Sequence, residues 1–505
     1  MKTYNIIKGI FAATVLSVVF SGCSEDAMDR INKDHGHTQS VAARFILTDV
    51  ITSTAFSNAG GDFNTYLSAY IEYEVGVDNQ LYYAETRESE PTSSSTFNNT
   101  WNGLYSTLKS ARIIINQCSE GGIDHGNYVT KGMAEVLAAY NCALIADMFG
   151  DAPCSQAALI DENGSPVYLT PKMDKQEEIY TQAMQYLDDA IADLQKEDLI
   201  DPEAQDLLYQ GDAEKWLKLA YGLKARYTMH LLKRSANKDA DMEKVLEYAF
   251  DVYDANNINP LYGFFVARAG LGASESMRSK LAEYNDPRLS RAFITKQGTS
   301  GKEQAPGTAD NAVYAPNGTP EQGTSKYGTS LFMYSISAPT LLLSYHELKF
   351  LEAEALCRLE RDAKSALKDA VVAGLLNAEN SFTISRKELG KTLINAASSI
   401  TEAEAESYFD NTIEAKYTAE PLKTTMTQKY FALWGASGEA TESYNDVRRM
   451  KGLGENFIEL KNPNSFPLRC PYGNSDTTTN AEVKAAYGNG QYVYSENVWW
   501  AGGSR

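Results

Sequence analysis

Along most of this chain apolar residues recur every three or four positions, the period of a helix that buries one face. Met133, Val136, Leu137, Tyr140, Leu144 and Met148 form one stripe, which Gly150 and Pro153 bring to an end. A second stripe runs through Ile179, Ala183, Leu187, Ile191 and Leu194. Trp216, Ala220, Leu223, Tyr227 and Leu231 make a third, with Asp212 placed to cap its first turn. Leu348, Leu351, Ala355 and Leu359 make a fourth, and Ala363, Leu367, Val371 and Leu375 a fifth. The pattern predicts further helices over 41–58, 62–74, 97–117, 240–254, 402–416 and 421–434. Several pair across short connections, as antiparallel hairpins do. The expected fold class is therefore mostly all-α: a tetratricopeptide-like scaffold of stacked helical hairpins, without the repeat consensus itself.

Three stretches break the period. Residues 75–96 carry Tyr82 and Tyr83 and then a Ser/Thr cluster, and read as a loop. Residues 255–340 form a long insertion whose 296–330 section is crowded with Gly, Pro, Ser and Thr. Residues 451–505 are again loop-rich and end near Trp499 and Trp500. Long loops on a helical scaffold are commonly where function sits.

The N-terminus changes the picture most. Lys2 and Lys8 precede an apolar run from Ile10 to Phe20, and Ser21 and Gly22 lead into Cys23. The run is a secretory leader, too short to span a bilayer. Its ending resembles a lipoprotein lipobox, which implies cleavage before Cys23 and lipidation of that residue. Two acyl chains would give stable anchoring. Residues 1–22 are thus expected as signal peptide, 23–40 as a flexible tether and 41–505 as a single domain. Ser24, Glu25 and Asp26 resemble an acidic signal for export to the outer face of the outer membrane. No other apolar stretch approaches the length of a span by this reading.

Charge narrows the partners. Losing Lys2 and Lys8 with the leader takes 46 basic residues to 44 and the formal charge from −20 to −22. An acidic surface argues against nucleic acid and against electrostatic binding to anionic lipid. Five cysteines remain beyond Cys23, none in zinc spacing, and buried free thiols are expected. The chain has 31 Tyr against 18 Phe and 5 Trp. A core alone would not favour Tyr so heavily, because each buried hydroxyl needs a partner. An aromatic surface for sugars or peptides would.

Several blocks occur together in order: Trp101-Asn-Gly-Leu-Tyr105, Ala139 through Gly150-Asp-Ala-Pro153, Tyr209-Gln-Gly-Asp-Ala-Glu-Lys-Trp216, Asn285-Asp-Pro-Arg-Leu289, Ser344 through Ala355, Gln428-Lys-Tyr-Phe-Ala-Leu-Trp434, Asp446-Val-Arg-Arg449 and Val498-Trp-Trp500. Their order and spacing resemble the SusD/RagB family of surface nutrient-binding lipoproteins, in its second SusD-like branch. That resemblance implies a non-enzymatic outer-membrane, cell-surface lipoprotein. It would capture oligosaccharide and act as lid for a SusC-type TonB-dependent transporter. A loop-rich half of the fold would carry the ligand. A peptide-binding lid, or a surface glycoside hydrolase of helical-barrel type, are the alternatives.

The residues offer no better chemistry. No HExxH, GxSxG or phosphate-binding loop occurs, and Gly270-Leu-Gly272 lacks a third glycine and a preceding strand. No cofactor is expected. Asp161-Glu-Asn-Gly164 begins like a calcium loop but lacks the spaced ligands and the closing Glu, which leaves structural calcium open. Glu347, Glu352 and Glu354 read as solvated or paired with Lys349 and Arg358, and Arg448 and Arg449 as paired with carboxylates. Candidate ligand-binding residues are Tyr82, Tyr83, Trp101, Tyr314, Tyr327 and Tyr334, with Asn79, Gln80 and Arg87 as polar partners. Tyr66, Tyr70 and Tyr73, one stripe on a predicted helix, read as core.

Overall fold

Helices α1 (Ala43–Thr52), α2 (Asp62–Tyr70), α4 (Asn98–Cys118), α5 (Tyr128–Phe149), α6 (Gln176–Asp193), α7 (Ala213–His230) and α8 (Lys238–Asp251) build the first part of the scaffold; α3 is the short helix Asn79–Thr86. The computed structural model describes residues 41–161, 164–251, 261–262, 270–294, 313–323, 326–334, 339–389, 397–435 and 438–505. The leader, Cys23, the tether and part of the candidate calcium loop lie outside them. Ala43–Arg505 forms one compact unit.

The predicted stripes become helices for the expected reasons. Asp212 accepts hydrogen bonds from Glu214 N and Lys215 N and so satisfies two open donors at the start of α7. Gly150 ends α5 with a φ of 74°, and a Cβ there would lie 2.8 Å from the Arg505 carbonyl oxygen. The adjoining turn is fastened by Asp174, whose carboxylate accepts from Cys154 N at 2.8 Å and Ser155 N at 2.6 Å. α5 is the centre of this half and packs on α1, α4, α6 and α7. It is apolar enough to cross a membrane by length and composition, contrary to the expectation that no other stretch approaches a span, yet its apolar length is buried inside the protein.

The second part of the scaffold is α11 (Tyr345–Arg358), α12 (Lys364–Leu389), α15 (Pro421–Ala432) and α16 (Glu439–Leu453), with the shorter α13 (Glu402–Tyr408) and α14 (Glu414–Ala419) between them. α11 pairs with α12, α8 and α15, and α16 crosses α2. Two predicted helices are interrupted by π-helical turns, at Ser53–Ala59 and Phe409–Ile413.

The irregular flank contains short antiparallel pairs rather than a sheet. β1 (Glu74–Gly76) pairs with β3 (Leu271–Ala273), in register Glu74 to Ala273. β2 (Leu261–Tyr262) pairs with β6 (Pro339–Thr340), and β4 (Phe293–Ile294) with β5 (Thr329–Ser330). The described residues of the 255–340 insertion contain regular elements besides these strands. These include α9 (Glu275–Glu283), which Ser274 caps through Met277 N, and α10 (Leu289–Ala292).

Cys118, Cys142, Cys154 and Cys470 are free and buried, and Cys357 is half-buried. Burial pushes the Cys118 and Cys470 thiols up to about 12 and raises that of Cys357. Since the thiolate is the reacting species, an alkylating reagent applied to the folded protein is expected to label Cys357 slowly and the other four not at all. Unfolding should expose all five. Mass spectrometry of labelled peptides checks this, and rapid native labelling of two or more sites would contradict the packing.

Candidate functional site

The loop-rich flank is built around α3. This short helix points Leu81 and Glu85 inward, leaves Tyr82 half-buried, and exposes Asn79, Gln80 and Tyr83. Tyr83 is 60% exposed, the most accessible tyrosine among the exposed large side chains. The Tyr82 and Tyr83 rings stand 5.7 Å apart at 75°, so they present an edge and a face at one place. The Gln80 Oε1 accepts from the Tyr66 hydroxyl at 2.8 Å, which leaves its amide nitrogen outward. Asn79 Nδ2 donates to Asp78 at 2.9 Å. Tyr82 and Tyr83 lie on a helix, not in the loop the sequence suggested.

Buried glutamates hold this helix against its neighbours. Glu85 Oε1 accepts from Gly318 N at 2.6 Å and from Asn462 Nδ2 at 3.2 Å, and Oε2 accepts from Gly76 N at 3.3 Å. One carboxylate thus joins α3, β1, the 313–323 loop and the C-terminal segment. Burial pushes it up to about 7, although Arg87 and the amides of Gly318 and Gly76 pull the other way. Glu72 accepts from Asn462 N at 2.6 Å and pairs with Lys280 at 3.4 Å. Glu74 accepts from the Ser330 hydroxyl and from Trp434 Nε1 at 3.3 Å. Its second oxygen meets no donor among the described residues, and burial pushes this carboxyl up to about 8. Sequence reasoning missed all three glutamates. Only Glu74 stands in a short apolar strand that hinted at burial; Glu85 lies on α3 and Glu72 in a turn.

The other candidates divide. Tyr314 is half-buried, edge-on to Phe293 at 5.1 Å and beneath the Arg278 guanidinium at 5.4 Å. Three candidates are corrected. Trp101 is fully buried: its Nε1 donates to Asp476 at 2.6 Å, and Tyr105, Phe149 and Tyr472 enclose its ring. Arg87 turns inward at the end of α3 and donates to the Tyr70 carbonyl at 3.2 Å and that of Ser465 at 3.4 Å, acting as a strut. Tyr327 is 8% exposed, packed with Val75, Val77 and Ala315, and its hydroxyl accepts from Glu321 N at 2.8 Å. The Tyr334 side chain lies outside the described residues. What remains together is Tyr82, Tyr83, Asn79 and Gln80 on α3, while Tyr314 packs separately against Phe293 and Arg278.

The tyrosine excess also has a different cause from the one expected. Fifteen tyrosines among the described residues are buried. Several of their hydroxyls donate to main-chain carbonyls, Tyr430 to Ile71 at 2.7 Å and Tyr444 to Pro467 and Tyr472 to Asp151 at 2.8 Å, as does the half-buried Tyr105 to Pro153 at 2.7 Å. Each hydroxyl ties an irregular segment to a neighbouring element, which satisfies the requirement that seemed to exclude a tyrosine-rich core.

Among the described residues no group of three or more His, Cys, Asp or Glu is placed to hold a metal ion. Several buried acids elsewhere are consumed by ion pairs. Arg226 donates to Glu347 at 2.7 Å through Nε, and Arg449 pairs with Glu354 at 2.5 Å and with Asp446 at 2.7 Å. Lys349 takes Glu352 at 2.7 Å.

Residues 36–472 match the family model described as starch-binding, associating with the outer membrane. A SusD/RagB family protein from Bacteroides thetaiotaomicron is 66% identical, with a TM-score of 0.86 over 92% of this chain and 100% of its own. The chain belongs to the SusD/RagB family. Its family model places it in the second SusD-like branch, whose members associate with the outer membrane. SusD-like architecture is shared far more widely than the sequence. A chitin-binding protein at 19% identity superposes with a TM-score of 0.65, covering 91% of this chain and 99% of its own. A SusD homolog from Bacteroides fragilis, 18% identical, gives 0.65 over 91% and 100%. No match was found among curated proteins. The family is one of binding proteins, in keeping with a site made of rings and amides.

Proposed function

We propose that this chain is a cell-surface lipoprotein that captures oligosaccharide and serves as the lid of a SusC-type TonB-dependent transporter. The observation that carries the ligand class is the Tyr82–Tyr83 pair, one ring 60% exposed, flanked by the Asn79 and Gln80 amides on a helix braced from below. Sugar rings offer C–H faces to aromatic rings and hydroxyls to amides, and neither contact requires charge. Family membership, the leader and the small-small-Cys ending at Cys23 support the rest of the reading.

If each ring contributes about 1 kcal/mol, the Tyr82→Ala/Tyr83→Ala variant loses about 2 kcal/mol, roughly thirtyfold in Kd. A glycan panel followed by calorimetry on the wild type and this variant makes the measurement. Binding of peptides alone would replace the ligand class. Release of reducing ends from polysaccharide would replace the function.

A further inference from the structure

We infer that the helical scaffold carries a second oligosaccharide-binding site, in the cleft between α6 and the turn Leu231–Arg234 that leads into α8. The inference takes its ligand class partly from the function proposed above and its location from independent geometry. The cleft has a volume of about 510 Å³, inside the range of small-molecule sites. Its floor is apolar: Met184 and Leu231 are half-buried, and Tyr180 is buried beneath them. One face of α6 supplies the polar wall through Glu177, Thr181, Gln185 and Asp188, spaced three or four apart. Trp499 closes one end.

Trp499 is distinctive. Of the five tryptophans, Trp101, Trp216, Trp434 and Trp500 are buried, whereas Trp499 is half-buried at the cleft. It is also held still. Arg234 Nε donates to its carbonyl at 2.7 Å, Arg234 donates again to Gly503, and the guanidinium stands 5.0 Å over the indole. A pre-set ring beside hydrogen-bonding groups is the arrangement that receives a sugar face.

The unspent groups select the ligand. Asp188 is paired with Lys224, and Asp241 with Lys244 at 3.0 Å. Gln185 gives its amide nitrogen to Asp189 at 2.9 Å, and Thr181 gives its proton to the Glu177 carbonyl at 2.9 Å. The cleft therefore offers acceptors in the Gln185 Oε1, the Thr181 oxygen and the exposed Glu177 carboxylate, with the Arg234 guanidinium as a donor beside Trp499. The complementary ligand brings donors. An anion would meet the carboxylates. A cation over Trp499 would meet the guanidinium already stacked there. A neutral ring with an apolar face and a hydroxyl rim meets neither obstacle.

The protein contains its own reporter, because acrylamide quenching of native tryptophan fluorescence reads mainly Trp499. The mature chain is titrated with maltoheptaose and with chitohexaose to millimolar concentration, by calorimetry and by quenching in parallel. At least one glycan is expected to shield the accessible fluorescence by half or more. Tyr82→Ala/Tyr83→Ala should leave that shielding intact. Thr181→Arg, an exposed substitution that fills the cleft without disturbing packing, should abolish it, and Trp499→Ala should remove the reporter and weaken cleft affinity at least tenfold. Heat of binding that vanishes in the Tyr82/Tyr83 variant, with no change in quenching at any point, overturns the second site and leaves the proposed function standing. Absence of heat with both glycans overturns both.

Discussion

Replacing Glu354 by alanine is expected to cost about 3–5 kcal/mol of folding stability, the largest effect of any single change considered. Glu354 is fully buried on α11. It accepts from Arg449 at 2.5 and 2.8 Å and from Arg358 at 2.8 Å. Burial alone would raise this carboxyl, but the two guanidinium groups outweigh it and hold it well below the carboxylate range. Removing it strands Arg449, whose side chain has no exposure and whose remaining partner, Asp446, is already engaged by Lys429 at 2.7 Å. Arg358 keeps Glu455 at 2.8 and 2.9 Å, so the penalty falls mainly on Arg449. Denaturant unfolding of Glu354→Ala beside Glu243→Ala provides the comparison. Glu243 pairs with Arg361 at the surface, with side chains about half exposed, where ion pairs contribute little. Equal midpoint shifts in the two variants would refute the buried network as described.

The second large effect is a loss of stability as pH rises from neutral to alkaline. Burial raises Glu74 to about 8 and Glu85 and Glu135 to about 7. His230 is raised to about 9: burial opposes its charge, but Glu442 and Asp147 outweigh burial. In each case the folded-state value lies above the unfolded one, so the folded state binds more protons across the interval. For the glutamates the contribution is complete below about 4.5 and disappears as pH climbs through about 7 to about 8. For His230 it is complete below about 6.5 and disappears through about 9. Glu354 and Glu442 have the opposite sign and lose their contribution only in acid. Stability should therefore peak in mildly acidic solution and fall by on the order of 5 kcal/mol toward about pH 9. Glu74→Gln keeps the uncharged shape, so it should flatten the alkaline limb. A midpoint that is unchanged or rises from about pH 6 to about pH 9 would refute the assignment.

What the sequence disclosed follows from what periodicity can register. The stripes on α5, α6, α7, α11 and α12 bury apolar side chains, so an apolar period finds them. α16 buries an apolar stripe, Ala440, Tyr444, Val447 and Met450, but it also buries Glu439, Glu442, Asp446 and Arg449 between those positions, and the charged residues obscure the period. It was legible only as part of a family block. The pairing of Arg449 with an acid was anticipated, but its partners are Glu354 and Asp446, and those contacts are made only by the tertiary fold. At the candidate site, residue type put the accessible Tyr82 and Tyr83 in one group with the buried Trp101 and Tyr327, because exposure depends on which neighbours fold over a ring. Trp499 shows the converse. Beside the buried Trp500 it looks like more core, yet the two rings leave the chain in different environments.

The hydroxyl ties from Tyr105, Tyr430, Tyr444 and Tyr472 have an evolutionary consequence. Irregular segments fastened at a few carbonyl points can be lengthened, shortened or rewritten between those points without renegotiating a continuous ladder of strands. The anchors ask only for a peptide oxygen, which every amino acid supplies. Such an architecture lets the irregular segments change in length and composition while the frame beneath stays constant.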